Sequence, residues 1–287
     1  MMEEIRKGAL YLVATPIGNL SDMTFRAVHV LSGADLIAAE DTRNSRKLLT
    51  AYEIKTPMTS YHEFNKYDKA DILIGDMIGG KTVALITDAG TPGISDPGEV
   101  LVEKCYEAGI PVIPVPGACA AVNALVASGQ PTRNFVFEAF LPADKKERRE
   151  ALERLKGEVR TMVLYEAPHR LLKTLGELRD ALGDRRLTIA KELTKKHEDF
   201  RQTTLNAAIE FFETEEPRGE YVLVIRGKSP EDVQAEKEEA FAGQSVEEAV
   251  AEKMAGGLDK KSAIKEVAQE RGLPKREVYS AVIGMEG

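Results

Sequence analysis

Two segments in the first third of the chain join an apolar, β-branched run to an abrupt turn, and they constrain the fold more than any other feature. They span residues 10–22 (LYLVATPIGNLSD) and 83–98 (VALITDAGTPGISDPG). Each run has the composition of a buried strand and ends in Gly, Pro, Asp, Ser and Thr. In an α/β sheet, such turns lie at the carboxyl ends of parallel strands, where ligands bind. The sequence therefore predicts a small-molecule site at these loops.

Apolar runs and amphipathic stretches alternate, which is typical of βαβ units and a mostly parallel sheet. Strands are predicted near residues 9–14, 35–39, 82–87 and 111–115, with helices near 24–31, 45–51, 69–78, 98–107 and 119–127. A break at residues 128–132 precedes a second set of strands, predicted near 135–140, 161–166, 187–192, 200–205 and 220–226. The predicted fold class is α/β, with two α/β domains at residues 1–129 and 130–228.

A polar linker (229–244) and a helical module (245–287) are predicted to complete the chain. Residues 262–269 and 275–283 predict two short helices around Gly272-Leu273-Pro274, an arrangement typical of a helix-turn-helix. From Lys253 onward the chain carries seven Lys and Arg residues and five Asp and Glu residues. Two interpretations stay open for this module: nucleic-acid binding, or packing and dimerisation.

The composition is that of a globular protein of 287 residues with a net charge of −8. No apolar run approaches the roughly 20 residues of a membrane span, and the N-terminal MMEEIRKG is charged before the first apolar run. The two cysteines lack CxxC spacing and the four histidines lack HExxH spacing. We therefore expect a cytoplasmic, reduced protein without a metal or a membrane partner.

The charge is unevenly distributed. Residues 145–201 contain 16 Lys and Arg residues against 11 Asp and Glu residues, so this stretch is positive within an acidic chain. A local positive potential attracts a polyanion whatever the total charge. A solvated helix face with paired charges explains the same pattern equally well.

One motif is misleading. Residues 75–82 (GDMIGGKT) match the GxxxxGK[ST] phosphate-loop pattern. A phosphate loop needs a strand before it and a helix after it. Here a helical pattern precedes the motif and the strand TVALIT follows it, so we interpret the match as a helix that ends at Gly79 and Gly80.

Seven motifs together resemble one family of enzymes. They are TPIGNLSD, AEDTR, SYHEFN, DAGTPGISDPG, PGACA, YEAPHR and GEYVLVI. In their order and approximate spacing the sequence resembles the tetrapyrrole-methylase-like (class III) S-adenosylmethionine-dependent methyltransferases, and within them the members that act on small-subunit ribosomal RNA. The resemblance implies two α/β domains with a cofactor cleft between them, a homodimer, and methylation of the ribose 2′-hydroxyl of a cytidine in the decoding region of 16S rRNA on the small ribosomal subunit.

The resemblance also implies a cofactor site for S-adenosylmethionine. Its residues would be Pro16, Ile17, Asp88, Gly90, Ile94, Cys119, Ala120, Tyr165, Ala167, Leu193 and Glu220, with Glu166 and Gly219 beside them. Read from the residues alone, a carboxylate that follows a buried strand, as Asp88 does, suits a ribose diol. Each of these loops taken singly is equally typical of a structural turn.

Methyl transfer to a hydroxyl requires alignment of the oxygen and removal of its proton. The catalytic candidates are Glu40, Asp41 and Lys195, with Lys191 and Glu192 as further groups at a strand end. The alternative is that Glu40 and Asp41 only pair with Arg43 or Arg46, and that Lys195 only neutralises a phosphate. The predicted RNA-binding residues are Arg43, Arg46, Tyr61, His62, Phe64, Asn65, His169 and Arg170. Tyr61 and Phe64 would stack on unpaired bases, unless they are core residues.

Two other functions remain compatible with the sequence. One is C-methylation of a tetrapyrrole, which needs the same fold and cofactor but neither SYHEFN nor the helical module. The other is a non-catalytic RNA-binding module for ribosome assembly, which would bind cofactor without turnover. Methyl transfer to small ribosomal subunits distinguishes all three.

Overall fold

The first sheet is made of short strands rich in Val, Leu, Ile and Ala. Its strands are β1 (Leu10–Val13), β2 (Leu36–Ala39), β3 (Met58–Ser60), β4 (Val83–Ile86) and β5 (Val112–Val115). All of them pair in parallel, in the order β3-β2-β4-β1-β5. Strand β4 is buried along its whole length, as expected for a central parallel strand covered on both faces.

The computed structural model describes residues 4–229, 231–233, 235, 241 and 243–283. The chain divides into two compact units, which meet in the sequence between Arg226 and Gly227. Both sheets belong to the first unit. The second unit is helical and is described separately below.

Helices connect the strands of the first sheet and cover its faces. They are α1 (Phe25–Gly33), α2 (Thr42–Ala51), α3 (Lys66–Ile78) and α4 (Gly98–Glu107), and α5 (Ala120–Ala127) follows the last strand. Helices α1 and α2 begin at side-chain caps, because Thr24 accepts a hydrogen bond from the Ala27 N–H and Asp41 accepts one from the Arg43 N–H. Two separate apolar clusters fill the faces of the sheet, one around Leu31 and the other around Leu73.

The second sheet is mixed. Its strands are β6 (Phe135–Phe140), β7 (Thr161–Glu166), β8 (Arg186–Lys191), β9 (Asp199–Thr204) and β10 (Tyr221–Ile225). They follow the order β6-β7-β10-β8-β9, in which only β6 and β7 pair in parallel. Three helices complete this part: α6 (Lys145–Lys156), α7 (Pro168–Leu182) and α8 (Leu205–Thr214).

Helix α5 joins the two sheets. It follows the last strand of the first sheet, yet its buried residues Ala121, Ala124 and Leu125 pack with Val163, Ala190, Val222 and Val224 of the second sheet. The Thr188 hydroxyl also donates a hydrogen bond to the Ser128 carbonyl, at 2.8 Å, just beyond this helix. Helix α5, which begins shortly after β5, therefore packs on one face of the three central strands of the second sheet.

The second unit contains α9 (Val246–Ala255), α10 (Lys260–Arg271) and α11 (Lys275–Val282). They enclose a small core that includes Val250, Val267, Val278 and Val282, each fully buried. Helix α9 begins with a capping box, formed by Ser245 and Glu248. Of the predicted linker and helical module, residues 230, 234, 236–240, 242 and 284–287 lie outside the described residues.

The α/β fold class and the parallel first sheet are confirmed. Strand β3 and helix α9 were not predicted, because three residues of mixed polarity and a highly charged helix give weak patterns. The interpretation of GDMIGGKT is confirmed: α3 ends at Ile78, Gly79 caps it, and β4 begins at Val83.

Among the described residues, no helix is long and apolar enough to cross a membrane. In the same residues, no group of three or more His, Cys, Asp and Glu side chains is arranged to hold a metal ion. Both cysteines are free thiols: Cys105 is buried and Cys119 is partly exposed.

Candidate functional site

A cavity of about 460 Å³ lies where the loops of the first sheet meet the second sheet. Its volume falls in the range of small-molecule sites. The first sheet contributes residues that follow β1, β2, β4 and β5, all at carboxyl ends of parallel strands. The second sheet contributes the ends of β6 and β7, the residue Leu193 after β8, and the start of β10. The cavity therefore lies at the loops where the sequence predicts a small-molecule site.

The loops after β1 and β4 are joined by a pair of backbone hydrogen bonds. The Thr15 N–H donates to the Gly90 carbonyl at 2.9 Å, and the Gly90 N–H donates to the Thr15 carbonyl at 3.0 Å. Gly90 has a φ of +85°, and a Cβ there would lie 3.3 Å from Cγ2 of Ile17. A glycine is therefore required where the two loops meet.

Asp96 fixes the shape of the loop after β4. Its carboxylate accepts hydrogen bonds from the N–H groups of Gly93, Ile94 and Gly98, at 2.8 to 3.2 Å. Burial raises the pKa of Asp96, although these N–H groups oppose the shift. Asp96 lines the cavity, but its hydrogen bonds indicate that its first task is to hold the turn.

Glu40 and Asp88 form an acidic wall of the cavity. Glu40 directly follows β2, and its Oε2 accepts a 2.6 Å hydrogen bond from the Thr87 hydroxyl. Asp88 follows β4, and its Oδ1 accepts a 3.1 Å hydrogen bond from the Asp41 N–H. Partial burial raises the pKa of Asp88, and the nearby charges of Glu40 and Asp41 raise it further. Both carboxyl groups face the same cavity at adjacent strand ends.

Two of the catalytic candidates have other partners. Asp41 does not line the cavity; it caps α2 and pairs with the Arg43 guanidinium at 3.2 Å. The hydrogen bond from that guanidinium lowers the pKa of Asp41. Asp41 is thus held in the charged, weakly basic form by the arginine that follows it.

Lys195 is a paired cation beside the cavity. Its Nζ lies 2.8 Å from both Glu192 Oε1 and Glu220 Oε2. Burial alone would lower its pKa, but the hydrogen bonds with both glutamates outweigh burial and raise it. A Cβ on Gly18, whose φ is +152°, would lie only 2.4 Å from Lys195 Cγ. Lys195 is therefore a charged group against the loop after β1 and is unsuited to accept a proton.

The opposite wall of the cavity is apolar and aromatic. Ile17, Cys119, Tyr165, Leu193 and Val222 line the cavity and pack in one cluster. The Tyr165 ring lies edge-on to Phe137, with a centroid distance of 5.0 Å, and close to Phe140. The Tyr165 hydroxyl accepts a 3.1 Å hydrogen bond from the Ala121 N–H, and burial raises its pKa to about 12. This wall is shaped to hold a flat apolar group.

A buried polar network supports this second wall. Glu166 is 2 % exposed and accepts hydrogen bonds from the Ala167 N–H and the Thr174 hydroxyl. Arg148 in turn donates to Thr174 Oγ1 at 2.7 Å and to Glu177 Oε2 at 2.6 Å. A charge buried at this depth is stable only when it is paired and hydrogen-bonded. Arg148 of α6 therefore supports Glu166, at the end of β7, through Thr174 of α7.

The predicted RNA-binding residues fall into two groups. Arg43 and Phe64 have highly exposed side chains, at 89 % and 96 %, and Arg46 and His169 are also exposed. Tyr61, in contrast, is 1 % exposed and donates a hydrogen bond to the Pro97 carbonyl at 3.0 Å. The expectation that Tyr61 stacks on a base is wrong for this structure, because its ring lies in the core beside α3 and α4.

The remaining three have structural contacts. Asn65 shapes the loop, since its Oδ1 accepts a 2.8 Å hydrogen bond from the His62 N–H. His62 Nδ1 is buried and has no hydrogen-bond partner within the described part of the chain. Arg170 donates to the Leu141 carbonyl at 2.7 Å and lies 3.4 Å from Glu166. Arg170 thus contributes to the network under the second wall.

Every predicted cofactor residue except Pro16 and Gly219 lines the cavity, and so does Glu40. The lining residues that sequence analysis did not assign to the site are Thr87, Ala89, Ser95, Asp96, Phe140, Pro168, Tyr221 and Val222. Asp96 carried a usable signal, because an Asp in a Gly- and Pro-rich turn after a strand often binds backbone N–H groups. Phe140, Tyr221 and Val222 had no comparable signal, because an apolar strand residue has the same sequence pattern whether it faces a ligand or the core.

The chain belongs to the tetrapyrrole (corrin/porphyrin) methylase family, whose model matches residues 9–209. It is 49 % identical to the ribosomal RNA small subunit methyltransferase I of Synechocystis sp., over 97 % of this chain and 99 % of that protein. It is also 49 % identical to the protein of the same name from Halalkalibacterium halodurans, over 96 % of this chain and 94 % of that one. Within the family, the chain groups with these ribosomal RNA small subunit methyltransferase I proteins.

The fold is also similar to that of solved methyltransferases. One is the uroporphyrin-III C-methyltransferase from Thermus thermophilus complexed with S-adenyl homocysteine. It superposes with a TM-score of 0.53 at 17 % identity, covering 75 % of this chain and 96 % of that one. At this level of identity, the similarity establishes the fold alone.

Proposed function

We propose that this protein transfers a methyl group from S-adenosylmethionine to the ribose 2′-hydroxyl of a cytidine in the decoding region of 16S rRNA. The proposed substrate is the small ribosomal subunit, and the proposed form of the enzyme is a cytoplasmic homodimer. The observation that carries the proposal is the cavity itself, whose acidic and apolar walls suit a nucleoside cofactor. The names of the full-length relatives support ribosomal RNA as the substrate.

The lining residues fit S-adenosylmethionine in both size and chemistry. Asp88 can accept hydrogen bonds from a ribose diol, as carboxylates after buried strands do in nucleotide sites. Ile17, Leu193 and Val222 provide apolar surface for a purine ring, and Ala120 and Ala167 leave room for it. When bound, S-adenosylmethionine supplies an electrophilic methyl group on a sulfonium leaving group. The protein then has to hold the acceptor oxygen in line and accept its proton.

Glu40 is the group best placed to accept that proton. It lines the cavity, and the hydrogen bond from Thr87 fixes its orientation. A carboxylate held within reach of the acceptor hydroxyl can take up its proton as the new bond to the methyl group forms. Lys195 remains protonated and paired, so its contribution would be electrostatic. Asp41 would position α2 and Arg43 rather than act on the substrate.

RNA contacts are proposed at the exposed members of the predicted set. Arg43 and Arg46 lie one turn apart on α2 and can bind phosphates, while the ring of Phe64 is open for stacking on an unpaired base. The exposed ring of His169 is available to hydrogen-bonding groups of RNA, whereas the Nδ1 of His62 is buried and would contribute only after the loop rearranges. Because Asn65 and Arg170 have contacts within the protein, their contribution would be to hold the loops that carry these residues.

The test is transfer of a radiolabelled methyl group from S-adenosylmethionine to small ribosomal subunits that lack this modification. Naked 16S rRNA and uroporphyrinogen serve as parallel acceptors, and nucleoside analysis identifies the product. The wild-type chain is compared with Glu40→Gln and with the matched surface variant Glu213→Gln on α8. We expect 2′-O-methylcytidine from the wild type and from Glu213→Gln, and strongly reduced transfer by Glu40→Gln.

Other outcomes would replace the proposal. Label only on the tetrapyrrole would support the alternative that the family model and the solved C-methyltransferase suggest. Cofactor binding without transfer to any acceptor would support a non-catalytic module for ribosome assembly. Label on a base or on another nucleoside would retain the enzyme class but refute the 2′-hydroxyl of cytidine as the acceptor.

A further inference from the structure

The helical unit contains a second cavity, of about 580 Å³, that the proposed reaction does not use. We call it the basic groove. It is lined by Lys260, Lys261, Ile264, Lys275, Arg276 and Tyr279. Four of these six side chains are cations and none is acidic. Tyr279 is 55 % exposed and Ile264 is buried beneath.

The two helices that form the basic groove contribute the same pattern. Helix α10 begins with Lys260 and Lys261 and places Ile264 three and four residues later. Helix α11 begins with Lys275 and Arg276 and places Tyr279 at the same spacing. Residues three and four apart lie on one helix face. Each helix therefore presents two cations of its first turn beside an apolar or aromatic side chain.

Acidic side chains are kept away from this surface. On α10, Glu266 and Glu270 both pair with Lys253 of α9, at 2.7 and 2.6 Å. At 100° per residue, Glu266 lies roughly 120° or more from Lys260, Lys261 and Ile264, and Glu270 lies roughly 120° or more from Lys261 and Ile264. On α11, Glu277 is similarly turned away from the face of Lys275 and Tyr279. Asp259 caps α10 by accepting hydrogen bonds from Ser262. The segregation of charge leaves the basic groove positive.

We infer that the basic groove binds a single-stranded segment of RNA, with phosphates on Lys261, Lys275 and Arg276 and one unpaired base stacked on Tyr279. Cations interleaved with an exposed aromatic ring are the common chemistry of single-strand binding, because the aromatic ring takes a base face and the cations follow the backbone. A duplex would offer phosphates but no free base for Tyr279. The identification of RNA, rather than another polyanion, rests on the proposed function.

The test measures RNA binding and methyl transfer by the full-length protein. The variants are Lys275→Gln combined with Arg276→Gln, Tyr279→Ala, and the conservative Tyr279→Phe. Lys265→Gln is the matched control, because Lys265 is an exposed lysine of α10 that does not line the groove. All substituted side chains are exposed, and circular dichroism and the melting temperature verify that each variant folds. The probes are small ribosomal subunits, fluorescently labelled single-stranded RNA and duplex DNA of equal length.

We expect the double variant to weaken binding to single-stranded RNA about tenfold and to reduce the slope of log affinity against log salt concentration by about two. Tyr279→Ala should weaken binding roughly tenfold, while Tyr279→Phe and Lys265→Gln leave it unchanged. With ribosomal subunits, KM should rise while kcat and the cofactor dissociation constant stay the same. Crosslinking of 4-thiouridine RNA should place the adduct on the peptide that contains Tyr279.

The outcomes separate this inference from the proposed function. If wild-type protein binds RNA through Tyr279 but methylates no ribosomal RNA, the basic groove is supported and the proposed reaction fails. If methylation occurs but the groove variants match the wild type in affinity and KM, the groove is refuted and the reaction stands. Equal binding of duplex DNA, or equal loss for Lys265→Gln, would also refute a single-strand site.

Discussion

The two walls of the cofactor cavity are built in different ways. On the wall from the first sheet, Asp96 is held by backbone N–H groups of its own turn, whereas Glu40 and Asp88 are held by hydrogen bonds that cross between the loops after β2 and β4. On the wall from the second sheet, Tyr165 and Leu193 are held by packing, and Glu166 is held by side chains from α6 and α7. The first wall is held mainly by hydrogen bonds between strand-end loops, and the second is held by packing and by side chains of two helices.

This difference separates residues that face the bound molecules from residues that hold the wall in place. The acidic wall has carboxyl groups that face the cavity, so a substitution there should change reaction or binding more than folding. The supporting side chains behind the second wall, Arg148, Thr174 and Glu177, do not line the cavity, so a substitution there should change folding first. Substitutions in the two walls, compared with matched controls, test this contrast.

Glu40→Gln should have the largest effect on activity. If Glu40 accepts the proton, we expect kcat to fall by roughly 100-fold or more, the usual contribution of a general base. The amide keeps the size of the side chain and a hydrogen bond with Thr87, so cofactor affinity should hardly change. Single-turnover transfer and calorimetry measure the two quantities. A fall below about threefold would assign proton removal to another group.

Arg148→Met should have the largest effect on stability. Arg148 is 6 % exposed and bridges Thr174 and Glu177, and removing one member of a buried pair costs about 3 kcal/mol or more. The control is Arg154→Met on the same helix, where the side chain is 64 % exposed and lies 3.7 Å from Glu138. Such exposed pairs contribute below about 1 kcal/mol. Urea unfolding that gives equal losses for both would refute the supporting role of the network.

The contrast between the walls also explains what the sequence could predict. The loops after β1, β4 and β5 were predicted as a ligand site because Gly, Pro and Asp turns after apolar runs are local signals. The position of β10 between β7 and β8 has no such signal, because strand order depends on contacts between distant segments. Tyr61 was misjudged for the same reason: in SYHEFN it has polar neighbours in sequence, but its hydroxyl reaches Pro97 at the start of α4.

Asp88→Asn should weaken cofactor binding by about ten- to a hundredfold, the range for a hydrogen bond to a charged group. RNA affinity should stay the same, which would place Asp88 on the cofactor side of the cavity. The control is Asp180→Asn on α7, where the side chain is 71 % exposed. Calorimetry with S-adenosylhomocysteine measures the affinity. Equal losses of cofactor and RNA affinity would contradict this division.

The pH dependence of cofactor binding provides a sharper form of the same test. Partial burial and the charges of Glu40 and Asp41 raise the pKa of Asp88 above the ordinary 3.8. Because the charged form is the one that binds, affinity should decrease as the pH falls through this raised pKa, before an ordinary aspartate is protonated. In Asp88→Asn this decrease should be absent. An unchanged pH profile in the variant would show that another group titrates.

Tyr165→Phe should have the smallest effect, and it tests whether the second wall is purely structural. The variant keeps the ring contacts with Phe137 and Phe140 but leaves the Ala121 N–H, at the start of α5, without its acceptor. An unpaired buried N–H costs about 1 kcal/mol or somewhat more. Since the pKa of Tyr165 is raised to about 12, the phenol stays neutral and the loss of stability should be the same at neutral and at mildly alkaline pH.

The control is Tyr106→Phe, where the side chain is 72 % exposed and no change is expected. Urea unfolding measures the stability, and methyl transfer should keep its kcat. A loss of kcat without a loss of stability would mean that the hydroxyl group of the second wall takes part in the reaction, and the separation of chemistry from support would fail.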